Sequence, residues 1–326
     1  MAETESIARA AEIMANEIFP YFGWTECGSR NQNWNCVDKD HHKRKTHPSD
    51  IVFCYLEPYS NFRTYINCDL KSYKCSTIIN TQFENVLNSL GVTTKCANIS
   101  PGWNELYNIN DQYSRNVYGL LFIYNHDCSY DKDFFERVRT IREKIIVPKG
   151  VKLFIFSPQD VVQLYTISTD IMKLIADGKL PQDKDYSFHY PDLDGRKKIG
   201  STWKKSATIE MLSGPWIIIQ TKPKPESGKI NFYIYYRNEG STSEEFVYLI
   251  DYLFKYQLIA DEYDVQIRGV ETARNCATNF QKAKQEYCSR YHLGDATSSR
   301  VEKITFKSVT RYIASFDAGE IGMEVR

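Results

Sequence analysis

Two stretches constrain the fold of this chain more than any others: His47-Pro48-Ser49-Asp50-Ile51-Val52-Phe53 and Cys68-Asp69-Leu70-Lys71. In the first, an acid opens a continuous apolar run over residues 50–56. Its length and Ile-Val-Phe content predict a buried strand. Pro58-Tyr59-Ser60-Asn61 reads as a turn. Residues 62–71 then alternate, with Ile66, Cys68 and Leu70 on one face and Tyr65, Asn67, Asp69 and Lys71 on the other. Antiparallel pairing through the turn would set Asp50 opposite Asp69. Two carboxylates and an ammonium would then meet at one end of a hairpin.

The surrounding pattern is that of a mixed α/β domain. Ile7, Ala11, Met14 and Ile18 fall at i, i+4, i+7 and i+11, which predicts a helix over 4–19 stopped by Pro20. Residues 25–49 are polar and read as loop with one short strand. A helix is expected over 77–90, buried through Ile78, Phe83, Val86, Leu87 and Leu90 and ended by Gly91. A loop carrying Pro101-Gly102-Trp103 leads to a second buried strand at 117–124. Helix 132–144, strand 152–156 and helix 159–175 follow, a rhythm that suggests right-handed parallel crossovers.

Residues 177–210 read as a boundary, with Pro181, Pro191, Arg196-Lys197-Lys198 and Lys204-Lys205. Beyond it, strands 216–220 and 229–237 suggest a hairpin. A helix near 244–257 has Ser241 and Glu244 at capping-box spacing. A strand at 263–267, a polar helix at 272–287 and two strands paired around Asp317-Ala318-Gly319 complete an α+β domain. The expected organisation is therefore residues 1–176 as one domain with its core in 4–125, a boundary at 177–210, and a second domain at 211–326.

Composition narrows the function classes. A chain of 326 residues can carry two cores, and Lys+Arg equals Asp+Glu. A formal charge of zero argues against binding nucleic acid through a global basic field, but not against a local basic cleft. The nine cysteines lack CxxC spacing, the first residues are acidic, and no apolar run reaches the roughly 20 residues that span a bilayer. The expectation is a cytoplasmic protein with reduced thiols and no membrane association. Walker A, HExxH and GxSxG patterns are absent.

The order helix, strands, Asp50 strand, Asp69-Leu70-Lys71 strand, helix, strand resembles the PD-(D/E)XK nuclease superfamily over about residues 4–125. The resemblance implies a restriction-endonuclease-like αβββαβ core with a mixed central sheet. It matches Asp50 to the first acid, Asp69 to the second and Lys71 to the lysine. Members often carry a Glu on the first helix about three turns before a Gly-aromatic pair, and Glu12, eleven residues before Gly23-Trp24, fits that place better than Glu17. Ser49 stands directly before Asp50 with Pro48 one further back, and the second acid is Asp rather than the commoner Glu. The implied cofactor is Mg2+, held by Asp50, Asp69 and Glu12, with Mn2+ as a substitute. The implied activity is hydrolysis of phosphodiester bonds, in DNA before RNA. Taken whole, through runs such as residues 119–126, the chain resembles the nuclease subunit of a two-gene bacterial anti-phage defence system. That implies a protein partner from a neighbouring gene, and self-association is also open. The alternative is a catalytically inactive subunit that keeps the fold and binds nucleic acid or acts as a scaffold.

The residue chemistry supports the grouping independently. Mg2+ takes hard oxygen ligands and keeps several waters, so two carboxylates and a carbonyl suffice. Lys71 could position a water or offset charge on a phosphorane. Lys43, Arg44 and Lys45 lead into Asp50 and suit phosphate contact, and Gln82 is a weaker candidate for the same role. Cys36, His41, His42 and His47 offer zinc ligands, though in no familiar module spacing. Asp40-His41-His42 matches the motif of the DHH phosphoesterases without their partner acids. The strand face Tyr233, Tyr235 and Arg237 could stack bases, but packing is the stronger expectation.

Overall fold

The computed structural model describes residues 2–193 and 203–312, with side chains from residue 9 onward. The side chain of Ile7 in the expected stripe, Arg196-Lys197-Lys198 and the Asp317-Ala318-Gly319 turn lie outside what is described. The chain divides into two compact units, one ending at Tyr165 and one of Thr166–Tyr312. The structure thus draws the division inside a helix rather than at 177–210. That stretch is more than a connector, because Ser187–Phe188 is an edge strand of the second sheet.

The first unit begins with α1 (Ala2–Ile18). Ala11, Met14, Ala15 and Ile18 are buried on one stripe. A 3-10 turn, Phe19–Phe22, takes Pro20 without a break because proline suits the first turn of a helix. Phe19 stacks on Trp24 at 4.5 Å and packs against Phe53 and Phe122 at 4.9 and 5.9 Å. This aromatic cluster fixes the end of the helix on the sheet.

β1 (Thr25–Glu26), β2 (Gln32–Asn35), α2 (Lys39–His42) and β3 (Thr46–Ser49) follow. Most of the segment expected as loop is therefore an antiparallel β2–β3 hairpin around a helical turn. The alternating polar sequence hides three buried positions, Trp34, His47 and Ser49, which anchor the hairpin.

β4 (Ile51–Leu56) and β5 (Phe62–Tyr73) pair antiparallel, with Ile51 opposite Cys68. The sequence to 107 then forms α3 (Cys75–Asn80), α4 (Phe83–Ile99) and α5 (Pro101–Tyr107). The single expected helix is split at Thr81-Gln82, and Gly91 does not stop it. Gly91 sits mid-helix because a Cβ there would come within 3.0 Å of Pro148 Cδ and 3.6 Å of Leu153 Cδ1, so packing sets the residue. α5 starts at Pro101, capped by Ser100 accepting from the Trp103 N–H.

β6 (Ser114–Asn125) runs parallel to β5 along its whole length. α6 (Phe134–Ile141), β7 (Leu153–Phe156, parallel to β6) and α7 (Pro158–Ala176) complete the run. The sheet order is β1-β4-β5-β6-β7. The elements α1, β1, β4, β5, α4 and β6 follow the restriction-endonuclease-like αβββαβ order around a mixed sheet, with β7 added at one edge.

The second unit has a sheet of order β12-β11-β10-β9-β8. Its strands are β8 (Ser187–Phe188), β9 (Trp216–Gln220), β10 (Ile230–Tyr236), β11 (Tyr263–Val270) and β12 (Thr305–Val309). Helices α8 (Ile209–Leu212), α9 (Ser243–Lys255), α10 (Cys276–Arg290) and α11 (Asp295–Glu302) lie between them. The α9 capping box is Thr242 with Glu245, one residue on from the expected pair. Glu245 also accepts from Tyr236 Oη at 2.7 Å, which selects this register. Among the described residues, no helix is long and apolar enough to cross a membrane.

Candidate active site

The β4–β5 register decides the site. Ile51 opposite Cys68 in an antiparallel pair places the preceding Asp50 beside the following Asp69. Asp50 occupies a bend between β3 and β4, and one of its carboxylate oxygens accepts from the backbone N–H of Leu70 at 2.7 Å. Leu70 lies just past the last β4–β5 pair, so its N–H has no β4 carbonyl to meet and instead anchors the Asp50 carboxylate beside Asp69. Asp69 and Lys71 are ion-paired on one strand face, each side chain about a quarter exposed (24 % and 29 %).

Two neighbours fix the backbone behind these groups. Ser49 donates to Asn67 Oδ1 at 2.5 Å and accepts from Trp34 Nε1 at 3.0 Å. Trp103 Nε1 also donates to Asn67, at 3.3 Å. All four are buried. This accounts for serine directly before Asp50. A proline there would provide no hydroxyl to join the hairpin, β5 and α5.

Electrostatics mark Asp50 as the strained member. Burial pushes its carboxyl above the usual range, and the charge of Asp69 pushes it further, with Glu12 adding a smaller push. The Leu70 N–H and Lys71 oppose that rise without cancelling it. For Lys71, burial acts against the charged form, but Asp69 and Asp50 outweigh it and raise the ammonium above its ordinary value. Lys71 is therefore a cation at neutral pH. Tyr73, two residues further on the same strand face, is raised by burial and by Asp69. Continuing the period of two from Asp69 would have found it.

Glu12 reaches this field from α1 but stands apart from the acid pair. Its carboxylate accepts from Asn31 Nδ2 at 2.9 Å and lies 3.8 Å from an Arg30 nitrogen. Glu17 is exposed, and its charge acts on Tyr21 rather than on Asp50. The structure thus separates the two helix acids that the sequence left close.

The other candidate residues fall elsewhere. Lys43, Arg44 and Lys45 are exposed between α2 and β3, with Arg44 donating to Ser89 on α4 at 2.7 Å. Gln82 precedes α4, and its side chain accepts from Asn85. His41 is exposed and contacts Asp38 at 2.8 Å. Cys36, His42 and His47 do come together, joined by Cys96 of α4, which sequence spacing gave no reason to include. In the second unit, Tyr233, Tyr235 and Arg237 are buried. Tyr235 donates to Asp170 at 2.8 Å and Arg237 donates to the carbonyls of Leu212 and Gly214, so this face packs. Lys222 and Lys229 are ion-paired with Asp185 and Asp264.

The donor set of Asp50 and Asp69 is all oxygen, and burial, followed by the charge of Asp69, raises Asp50. That chemistry fits a hard divalent cation such as Mg2+.

Residues 1–160 match the family model described as the GAPS4 protein PD-(D/E)XK nuclease domain. The matched segment contains Glu12, Asp50, Asp69, Lys71 and the Cys/His group. No curated protein matches the sequence.

Proposed function

Because the chain belongs, through residues 1–160, to the PD-(D/E)XK nuclease superfamily, we propose that it is a Mg2+-dependent nuclease that hydrolyses DNA phosphodiester bonds in bacterial anti-phage defence. The observation that carries the reading is the strand register that sets Asp50, held by the Leu70 N–H, beside the Asp69–Lys71 pair. Asp50 and Asp69 would hold the cation, with Glu12, whose charge reaches Asp50, assisting through a water; Mn2+ would substitute. A divalent ion there supplies positive charge that polarises the phosphate and eases loss of a proton from water.

The chain's own groups do the rest. The Leu70 N–H keeps an Asp50 oxygen aimed into the site. Asp69 keeps Lys71 charged and extended. The Lys71 ammonium orients the attacking water or offsets the negative charge that grows on the phosphorane. Exposed Lys43, Arg44 and Lys45 lie just upstream of Asp50 in the chain, where they can meet the phosphate backbone.

A neutral chain lacks the global field that draws in nucleic acid, so productive binding is assigned to a protein partner from a neighbouring gene, with self-association as a further route. The second unit would position substrate or recruit that partner, and the complex would work in the cytoplasm.

The test is cleavage of linear DNA, circular DNA and RNA by the purified chain, alone and with its partner, in Mg2+, Mn2+ or EDTA. Cleavage of DNA that is abolished by EDTA and by Lys71→Ala supports the proposal. Nucleic-acid binding with no cleavage under any condition would instead favour an inactive scaffold.

A further inference from the structure

We propose that Cys36, His42, His47 and Cys96 form a structural zinc site that clamps the β2–β3 hairpin to α4, three residues upstream of Asp50. The four come from different elements. Cys36 follows β2, His42 ends α2, His47 lies in β3 and Cys96 in α4. Each offers a ligand atom, and these atoms lie within 4.8 Å of one another.

The spacings are those of a coordination tetrahedron. With Zn–S about 2.3 Å and Zn–N about 2.05 Å, tetrahedral angles place two sulfurs about 3.8 Å apart and a sulfur and a nitrogen about 3.6 Å apart. The Cys36 and Cys96 sulfurs are 3.8 Å apart, and both are free thiols. His42 Nδ1 lies 3.4 Å from Cys36 Sγ and 3.3 Å from Cys96 Sγ.

A second observation points to a ligand. His47 is fully buried, and its Nε2 has no hydrogen-bond partner. Its Nδ1 lies 3.2 Å from Thr93 Oγ1. A proton on Nδ1 donated to that hydroxyl leaves the lone pair on Nε2, the outer-shell arrangement that orients a metal-bound imidazole. The Asp38 N–H donates to Cys36 Sγ at 3.4 Å, as suits a thiolate. An ion would give the buried Nε2 a partner and bind both sulfurs at once.

Four protein ligands leave no open position, so this site is structural and distinct from the catalytic cation. Its soft sulfur and imidazole donors select zinc over Mg2+. Its effect is mechanical: β3 runs directly into Asp50, so fixing His47 on α4 fixes the first acid. His41 takes no part.

The test is zinc content of the untagged full chain, purified without chelators from zinc-supplemented culture. The expected result is about one zinc per chain in the wild type, in His41→Ala and in Asp69→Ala. Cys36→Ser and Cys96→Ser should fall below about a tenth of that. Retention by Asp69→Ala separates this site from the nuclease reading. Should the cysteine variants not fold, cobalt replacement in the wild type decides, through tetrahedral d–d bands with sulfur-to-metal charge transfer. Wild-type zinc below about a tenth per chain, full zinc in the Cys36→Ser/Cys96→Ser variant, a Cys36–Cys96 disulfide, or a cobalt spectrum without the sulfur band would each overturn the proposal.

Discussion

Ser49→Ala removes one oxygen atom next to Asp50. That hydroxyl accepts from Trp34 Nε1 at 3.0 Å and donates to Asn67 Oδ1 at 2.5 Å, and all three residues are buried. The two losses are unequal. Asn67 Oδ1 keeps the Trp103 indole at 3.3 Å, so it stays partly satisfied. Trp34 Nε1 would be left inside the protein with no acceptor, at a cost of about 1–3 kcal/mol. Adding the weakened Asn67 contact gives about 2–3 kcal/mol in total. For a unit of this size that lowers the melting temperature by about 4–12 °C.

Urea and thermal unfolding, followed by tryptophan fluorescence, would measure it in the transition of the first unit. Trp34→Phe in the same background removes the orphaned donor. The double variant should therefore lose less than the sum of the single losses, by about 1 kcal/mol. A Ser49→Ala loss below about 0.5 kcal/mol, or strict additivity with Trp34→Phe, would refute the claim that this hydroxyl holds the site's backbone.

Other expectations follow from the same contacts. Asp50→Asn keeps an acceptor for the Leu70 N–H but removes a carboxylate whose pKa is raised in the fold. Such an acid binds its proton more tightly folded than unfolded, so its ionisation opposes folding as pH rises past the ordinary value of 3.8. With no divalent cation added, the variant should melt higher than wild type at neutral pH, and the gap should close as pH falls below 3.8; a lower neutral melting point contradicts this. Arg268 donates to both oxygens of Asp170 at 2.6 Å with both side chains nearly sealed from solvent. Asp170→Asn should cost about 3–5 kcal/mol in urea unfolding of the second unit, and Asp170→Leu with Arg268→Met should cost less than either single change. Gly119→Ala would put a Cβ within 2.5 Å of Thr94 Oγ1 and 2.6 Å of Leu153 Cδ2, so a loss of about 1–3 kcal/mol is expected from thermal melts.

Much of the fold was legible because it is written in short periods. The β4–β5 hairpin, its register and the shared face of Asp69 and Lys71 follow from a period of two and one turn. The parallel β6–β7 crossover follows from strand, helix, strand. What was hidden depends on partners distant in sequence. Nothing near Gly91 shows that Pro148 and Leu153 pack on it, so it looked like a helix stop. The β2–β3 hairpin looked like loop because its inward positions, Trp34, His47 and Ser49, are scattered through a polar segment. Cys96 lies sixty residues beyond Cys36, so zinc spacing rules applied to the loop picked His41, an exposed neighbour. The strand face of Tyr233, Tyr235 and Arg237 was rightly expected to pack, but its covering acid, Asp170, could not be named because it lies on a helix sixty-five residues before Tyr235.

The most direct test of the central claim is the single-turnover rate of DNA cleavage by Asp69→Ala, with partner and Mg2+ at saturation, relative to wild type. The register and charge pattern at Asp50, Asp69 and Lys71 predict a loss of at least about 100-fold, with zinc content and melting temperature preserved. Cleavage by Asp69→Ala at the wild-type rate would contradict the assignment of this hairpin end as the active site.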